Sequence, residues 1–184
     1  GGIAALQLKD FPLAIEFYRA VLVVNPNDAL TFYNLGRAFL QQEPPQYMDG
    51  FWAVARAVAM KIQPGEAQVR NYLKSQLNRY QLPTCDTLID AQLNELITLA
   101  GASADRPASF SIPSRAELDK TLQDNGTVDA IIKGLKAGGD ISKRTWLAAC
   151  GAEFPELGGK VFEVAEAEGA VVLKVFTASN EEAI

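Results

Sequence analysis

Acid and base chemistry in this chain would have to proceed without histidine, for none is present among its 184 residues. That removes the side chain best matched to proton transfer near neutral pH and the commonest metal ligand. Every Ser-His, Cys-His or His-zinc mechanism goes with it. The two cysteines, Cys85 and Cys150, stand far apart without the clustered spacing of a metal site or a disulfide framework, so each reads as a small apolar group. In "LAACGA", Cys150 follows Trp146 on an apolar helical face, which favours packing over nucleophilic chemistry. Asp86 and Asp90 form an i,i+4 pair at a predicted helix N-terminus, where negative charge is favoured without any metal. The glycines of "KAGGD" and "ELGGK" lack the Gly-Lys-Ser/Thr ending or preceding strand of a phosphate loop. "NGT" at Asn125 is a formal glycosylation triplet that a turn explains. No catalytic residue, metal ligand or cofactor site emerges, and the chain reads as non-enzymatic.

The elements that position the remaining side chains follow from composition and period. An apolar share of 48% against 21% charged residues is an ordinary globular balance. The formal charge of -5 divides into 8 basic and 9 acidic side chains up to Ala100 and 9 basic and 13 acidic beyond it, so neither half offers a basic face for nucleic acid. No uninterrupted apolar run reaches the ~18 residues of a membrane span. The chain opens directly in helical pattern, without a signal-like n-region or apolar core, and reads as a piece of a longer protein. Cytoplasm and periplasm both stay open.

A shift of 34 residues brings Gly2 onto Gly36, Ala4 onto Ala38, Leu6 onto Leu40, Gln7 onto Gln41, Phe17 onto Phe51 and Val24 onto Val58, with Tyr18 meeting Trp52. Within "FYNLGRAFLQQ" Gly36 is costly to a helix by about 1 kcal/mol relative to alanine, so packing must favour it. "GGIAALQLKDFPLAIEFYRAVLVVNPND" resembles most of one tetratricopeptide repeat. On that resemblance Gly2 is the small residue of helix A, "KDF" the turn, Ala14 and Tyr18 the helix B contacts, and Pro26 the terminator. "ALTFYNLGRAFLQQ" resembles the next helix A, with Phe32, Leu35, Gly36 and Phe39 at family positions and Trp52 and Ala55 following on helix B. "EPPQYMDG" replaces the usual short turn, and helix B of this second repeat reads as about a turn long before Pro64.

After Pro64 the match fades. Val69, Tyr72, Leu73, Gln76 and Leu77 recur at helical spacing, as do Leu88, Ile89, Leu93, Leu96 and Ile97. Thr84 or Asp86 is a candidate cap for the latter helix and Gly101 its end. The pair reads as a capping helix pair. Residues 101–113 are rich in Gly, Ala, Ser and Pro and read as a linker or extended strap anchored by Phe110 and Ile112. Ser114 and Glu117 have the spacing of a capping box, and three short helices fit up to Phe154. Two β-branched runs around Glu168-Gly169 predict a β-hairpin.

The expected architecture is thus mainly α: a TPR-like α-α superhelix of two repeats plus a capping pair over 1–100, the linker at 101–113, and a small α+β segment over 114–184 with a C-terminal hairpin. The layout resembles bacterial tetratricopeptide proteins with a small C-terminal domain. The resemblance assigns Leu30, Tyr33, Asn34, Arg37, Leu40 and Gln41 to the concave wall of helix A, with Ile3, Leu6 and Gln7 on the first repeat. Tyr33 and Arg37, four residues apart, share one face, and with Asn34 they offer a ring, a cation and an amide to an extended peptide or its carboxylate. The implied function is protein-protein interaction with a protein or peptide partner. Two other readings are open: the repeats position a C-terminal β-rich domain that carries the activity, or the chain forms homo-oligomers through an exposed repeat edge.

Overall fold

Aspartates that cap backbone amides punctuate the first half of the chain. The computed structural model describes residues 1–82, 84–152, 159–167 and 170–177. Six helices lead: α1 (Gly2–Gln7), α2 (Phe11–Val24), α3 (Ala29–Gln41), α4 (Tyr47–Ala59), α5 (Glu66–Gln81) and α6 (Asp86–Ala102). Asp10 accepts from Leu13 N at 3.2 Å and Asp28 from Thr31 N at 3.1 Å, so each aspartate satisfies an orphan donor at its helix start. Three shorter helices follow, α7 (Arg115–Asn125), α8 (Val128–Lys136) and α9 (Gly139–Ala149), then strands β1 (Gly159–Ala167) and β2 (Ala170–Thr177). The fold is mainly helical.

Gly36 has the packing reason its helix lacks. A Cβ built there would lie 2.5 Å from Val54 Cγ2 and 2.9 Å from the Gly50 carbonyl oxygen, so only hydrogen lets α3 and α4 approach this closely. Gly2 does the same against Tyr18, whose ring would stand 2.8 Å from an added Cβ. These contacts correct the register expected for helix B. The shift of 34 holds for the two glycines, but their partners Tyr18 and Val54 are 36 apart, as are the helix starts Phe11 and Tyr47. The loop over residues 42–46 has taken up two residues. Gly50 and Val54, rather than Trp52, therefore face Gly36. Nor does α4 extend towards Pro64: it ends at Ala59, with Met60 as its C-cap.

The core runs continuously from Ala14 and Tyr18 through Phe32, Leu35, Phe39, Phe51 and Trp52 to Leu73, Leu77, Ile89, Leu93 and Leu96. Residues 103–113 lie across α4 as a strap. Trp52 Nε1 donates to Ala104 O at 3.2 Å, Arg106 pairs with Asp49 at 2.8 Å, and the Phe110 ring meets the Trp52 ring at 5.0 Å. Ile112 is buried beneath it. Arg56 donates to Ala100 O at 2.9 Å and Gly101 O at 2.7 Å, which supplies two of the carbonyls left open at the end of α6 with a charged donor. The cap expected from Thr84 or Asp86 is absent. Cys85 holds that position without a side-chain hydrogen bond, and the helix passes Gly101 to end at Ala102.

Cys85 is otherwise engaged. It forms a disulfide with Cys150, Cα atoms 5.6 Å apart and 65 residues distant in sequence, so the two are not the separate apolar groups their spacing suggested. The bond ties the start of α6 to the end of α9. Beside it Leu118, Leu147 and Ala148 make a second small core with Leu88 of α6 packed against it. Trp146 faces outward and is half exposed, contrary to its expected place on the packed face. The capping box forms as the spacing requires: Ser114 N donates to Glu117 Oε2 at 2.8 Å and Glu117 N to Ser114 Oγ at 3.3 Å. Asn125 turns back to donate to Thr121 O at 2.6 Å, and Gly126, at φ 51°, ends α7. The strands pair antiparallel from Gly159 opposite Thr177 to Ala167 opposite Ala170, with a bulge between Val161 and Glu163. Phe154 and the Glu168-Gly169 turn lie outside the described residues.

Candidate functional site

The α3 residues assigned to the concave wall divide by burial. Asn34 and Leu40 are buried, so neither presents its side chain to a partner. Leu30 and Gln41 are exposed, and Tyr33 and Arg37 are half-buried. The last two are joined: the Arg37 guanidinium carbon lies 5.6 Å from the centre of the Tyr33 ring, a cation-π distance. Tyr33 in turn meets Tyr72 of α5 edge to face at 5.9 Å. The wall is therefore not α3 alone but a seam between α3 and α5.

Tyr72 leads into a cleft of about 520 Å³. Gln41 and Gln42 at the end of α3, Glu43 after it, Tyr47 at the start of α4, and Gln76, Arg79 and Tyr80 of α5 line it. Its aromatic side is stiffened by neighbours, with Tyr47 and Tyr80 at 4.4 Å and Phe51 and Tyr80 at 5.4 Å between centroids. Burial pushes the Tyr72 phenol above its ordinary value and nearby Tyr33 adds to this, while Arg37, a hydrogen bond with Gln41 and Arg79 pull the other way. Tyr80 is likewise raised, by burial first and then by Glu117. Both phenols thus stay neutral hydrogen-bonding groups at ordinary pH. Gln42 Nε2 is buried there and finds no partner among the described residues.

Two other clefts carry charge of their own. A cleft of about 440 Å³ between α2, α4 and the strap contains Asp49 and Arg106, paired with each other, and Arg19, whose guanidinium carbon lies 5.4 Å from the centre of the Phe39 ring. One of about 470 Å³ between α6, the strap and α9 contains Glu95 and Lys143, also paired, and Arg144, held by Thr121 Oγ1 at 2.9 Å. Arg37 and Arg79 take part in none of the ion pairs found among the described residues. The α3/α5 cleft thus combines the Arg79 guanidinium and the Glu43 carboxylate with amides and aromatic faces, and Arg37 stands beside it over Tyr33. On the first helix pair Ile3 and Gln7 are exposed and Leu6 is half-buried, which adds an apolar shoulder without charge.

Sequence reasoning missed Tyr47, Gln42, Arg79 and Tyr80. The signal was in α5, where Tyr72, Gln76, Arg79 and Tyr80 recur at four, seven and eight residues and so share a face. Elsewhere the Asp86/Asp90 pair is served by Lys74, 2.8 Å from Asp90 and 4.0 Å from Asp86. Among the described residues no group of acidic and cysteine side chains is placed to hold a metal ion, and no helix is long and apolar enough to cross a membrane. Comparison of the chain with protein families, curated proteins and solved structures finds no match.

Proposed function

We propose that the chain is a protein-interaction module in which helices α1–α6 act as a tetratricopeptide-like stack and the α3/α5 cleft holds a segment of a partner protein. The observation that carries this reading is the cleft itself. Arg79 lines it with half-buried Tyr72, Arg37 stands beside it over the Tyr33 ring, and the glutamine amides of the cleft can meet the backbone of an extended peptide. Aromatic and arginine side chains in a concave setting are the residues that dominate peptide hot spots. With Arg79 and the adjacent Arg37 set against Glu43, a segment bearing a carboxylate fits the charge better than a lysine-rich one.

The test is a peptide array probed with the whole chain and with Arg79→Glu, which alters an exposed side chain outside the core. Selective capture of acidic peptides that Arg79→Glu abolishes, with its thermal melt unchanged, supports the proposal. Capture unaffected by Arg79→Glu and Arg37→Glu places the function elsewhere. One observation favours a second reading in which the stack serves the C-terminal segment. The bulge in β1 brings Val161 and Val164 to one face, both more than half exposed, as an apolar face awaiting a covering element would be.

A further inference from the structure

Building on the peptide cleft proposed for α3 and α5, we infer that the partner segment is proline-rich: a polyproline II stretch that lies across the tyrosine faces of the cleft and brings a carboxylate to Arg79. Three tyrosine rings border the cleft, those of Tyr47, Tyr72 and Tyr80. Tyr47 is 36% exposed and stands beside Tyr80 at 4.4 Å between centroids, while fully buried Phe51 meets Tyr80 at 5.4 Å. Tyr72 is held by Tyr33, perpendicular to it at 5.9 Å. The rings are thus braced by their neighbours before any ligand arrives. Tyr72 and Tyr80 stand eight residues apart on α5, about 12 Å along the helix at ~1.5 Å per residue. A polyproline II segment covers that distance in about four residues at ~3.1 Å each.

The polar groups of the cleft select against an ordinary extended chain. Gln42 Nε2 is buried there without a partner among the described residues, and the Arg79 guanidinium, which can only donate, takes part in none of the ion pairs found among them. Both require an acceptor from the ligand. The tyrosine faces offer no lone pair to an N–H, so an amide pressed onto them gives up its water without a full replacement. Proline avoids that loss, because it has a carbonyl to accept and no N–H to desolvate, and its ring packs on aromatic faces. Its backbone is already close to the bound conformation, so less freedom is lost on binding. Arg79 and the adjacent Arg37, set against Glu43, leave the charge balance in favour of an acidic residue beside the prolines.

Fluorescence polarisation of the full chain with two labelled peptides of equal length and charge is the test: a proline-rich peptide carrying glutamate, and the same peptide with every proline changed to alanine. We expect the proline peptide to bind roughly tenfold tighter or more. Tyr47→Ala should remove that margin, and Tyr47→Phe, which keeps the ring, should retain it. Arg79→Glu, on an exposed side chain, should weaken both peptides by roughly tenfold and so reads the carboxylate contact without disturbing the core. Equal affinity for the two peptides, or a margin that survives Tyr47→Ala or is lost in Tyr47→Phe, overturns the inference. When neither peptide binds but the array captures other acidic peptides in an Arg79-dependent way, the cleft reading stands and the proline requirement falls. When the array shows no Arg79-dependent capture either, the cleft reading falls and takes this inference with it.

Discussion

Reducing the Cys85–Cys150 bond should cost more stability than removing any other single interaction in this chain. The bond closes a 65-residue separation, and in the chain-entropy account a loop of that size restricts the unfolded state by about 4 kcal/mol. Against a typical total of roughly 5–15 kcal/mol this is a large share. For a protein of this size the melting temperature should fall by about 10 °C on full reduction. The loss should not be spread evenly. Apart from the bond, the C-terminal helices are held to the stack by the small core around Leu118, by Gln81 Nε2 to Pro113 O at 2.9 Å, and by the exposed Lys143–Glu95 pair. Such an exposed pair contributes under about 1 kcal/mol. Hydrogen exchange with and without reductant, alongside thermal melts of Cys150→Ser, measures both effects. Amides of α9 should lose protection on reduction well before those of α3 and α4. Identical melts under oxidising and reducing conditions, or two titratable thiols in the native protein, would refute the reasoning.

Gly36→Ala should destabilise by about 1–3 kcal/mol although alanine is the better helix former, because the new methyl group meets the Gly50 carbonyl as well as the Val54 side chain, and backbone cannot step aside; urea unfolding beside Gly36→Ala/Val54→Ala separates the two clashes, and the double variant should recover only part of the loss. Glu117 is held below the usual carboxylate range, first by the Ser114 backbone N–H and then by its hydroxyl. Its charge-dependent contribution, no more than about 1 kcal/mol at this exposed cap, is fully present above the ordinary glutamate value and fades as pH falls through the lower folded one. The gap in urea midpoint between the parent and Glu117→Gln should therefore close on acidification, and a gap independent of pH would contradict this assignment.

The local signals in the sequence translated well because they are satisfied within a turn or two of chain. The Ser114/Glu117 box, the helical spacing of Val69, Leu73 and Leu77, and the need of Gly36 for a close neighbour all refer to contacts that short-range geometry dictates. What the sequence hid depends on distant chain. The disulfide joins residues whose surroundings carry no mark of each other, and only the fold brings α9 beside α6. The helix B register slipped because identities such as Phe17 with Phe51 are matched by position in sequence, whereas the extra residues in the 42–46 loop move the real partners to Gly50 and Val54. The candidate site was half legible for the same reason. Tyr33 and Arg37 could be paired on one helix, but their completion by Tyr72 and Arg79 needs α5 laid across the seam.

Burial along the helices is graded. In α4 nearly every residue from Gly50 to Val58 is buried, while α1 buries only Ala5. The α3/α5 cleft thus adjoins a heavily buried part of the molecule, as a site that must hold side chains in place before a ligand arrives requires. A six-residue helix such as α1 is too short to be stable through its own backbone hydrogen bonds and depends on what packs beside it. Its support is α2, through buried Ala5 and the close seat of Gly2 against the Tyr18 ring.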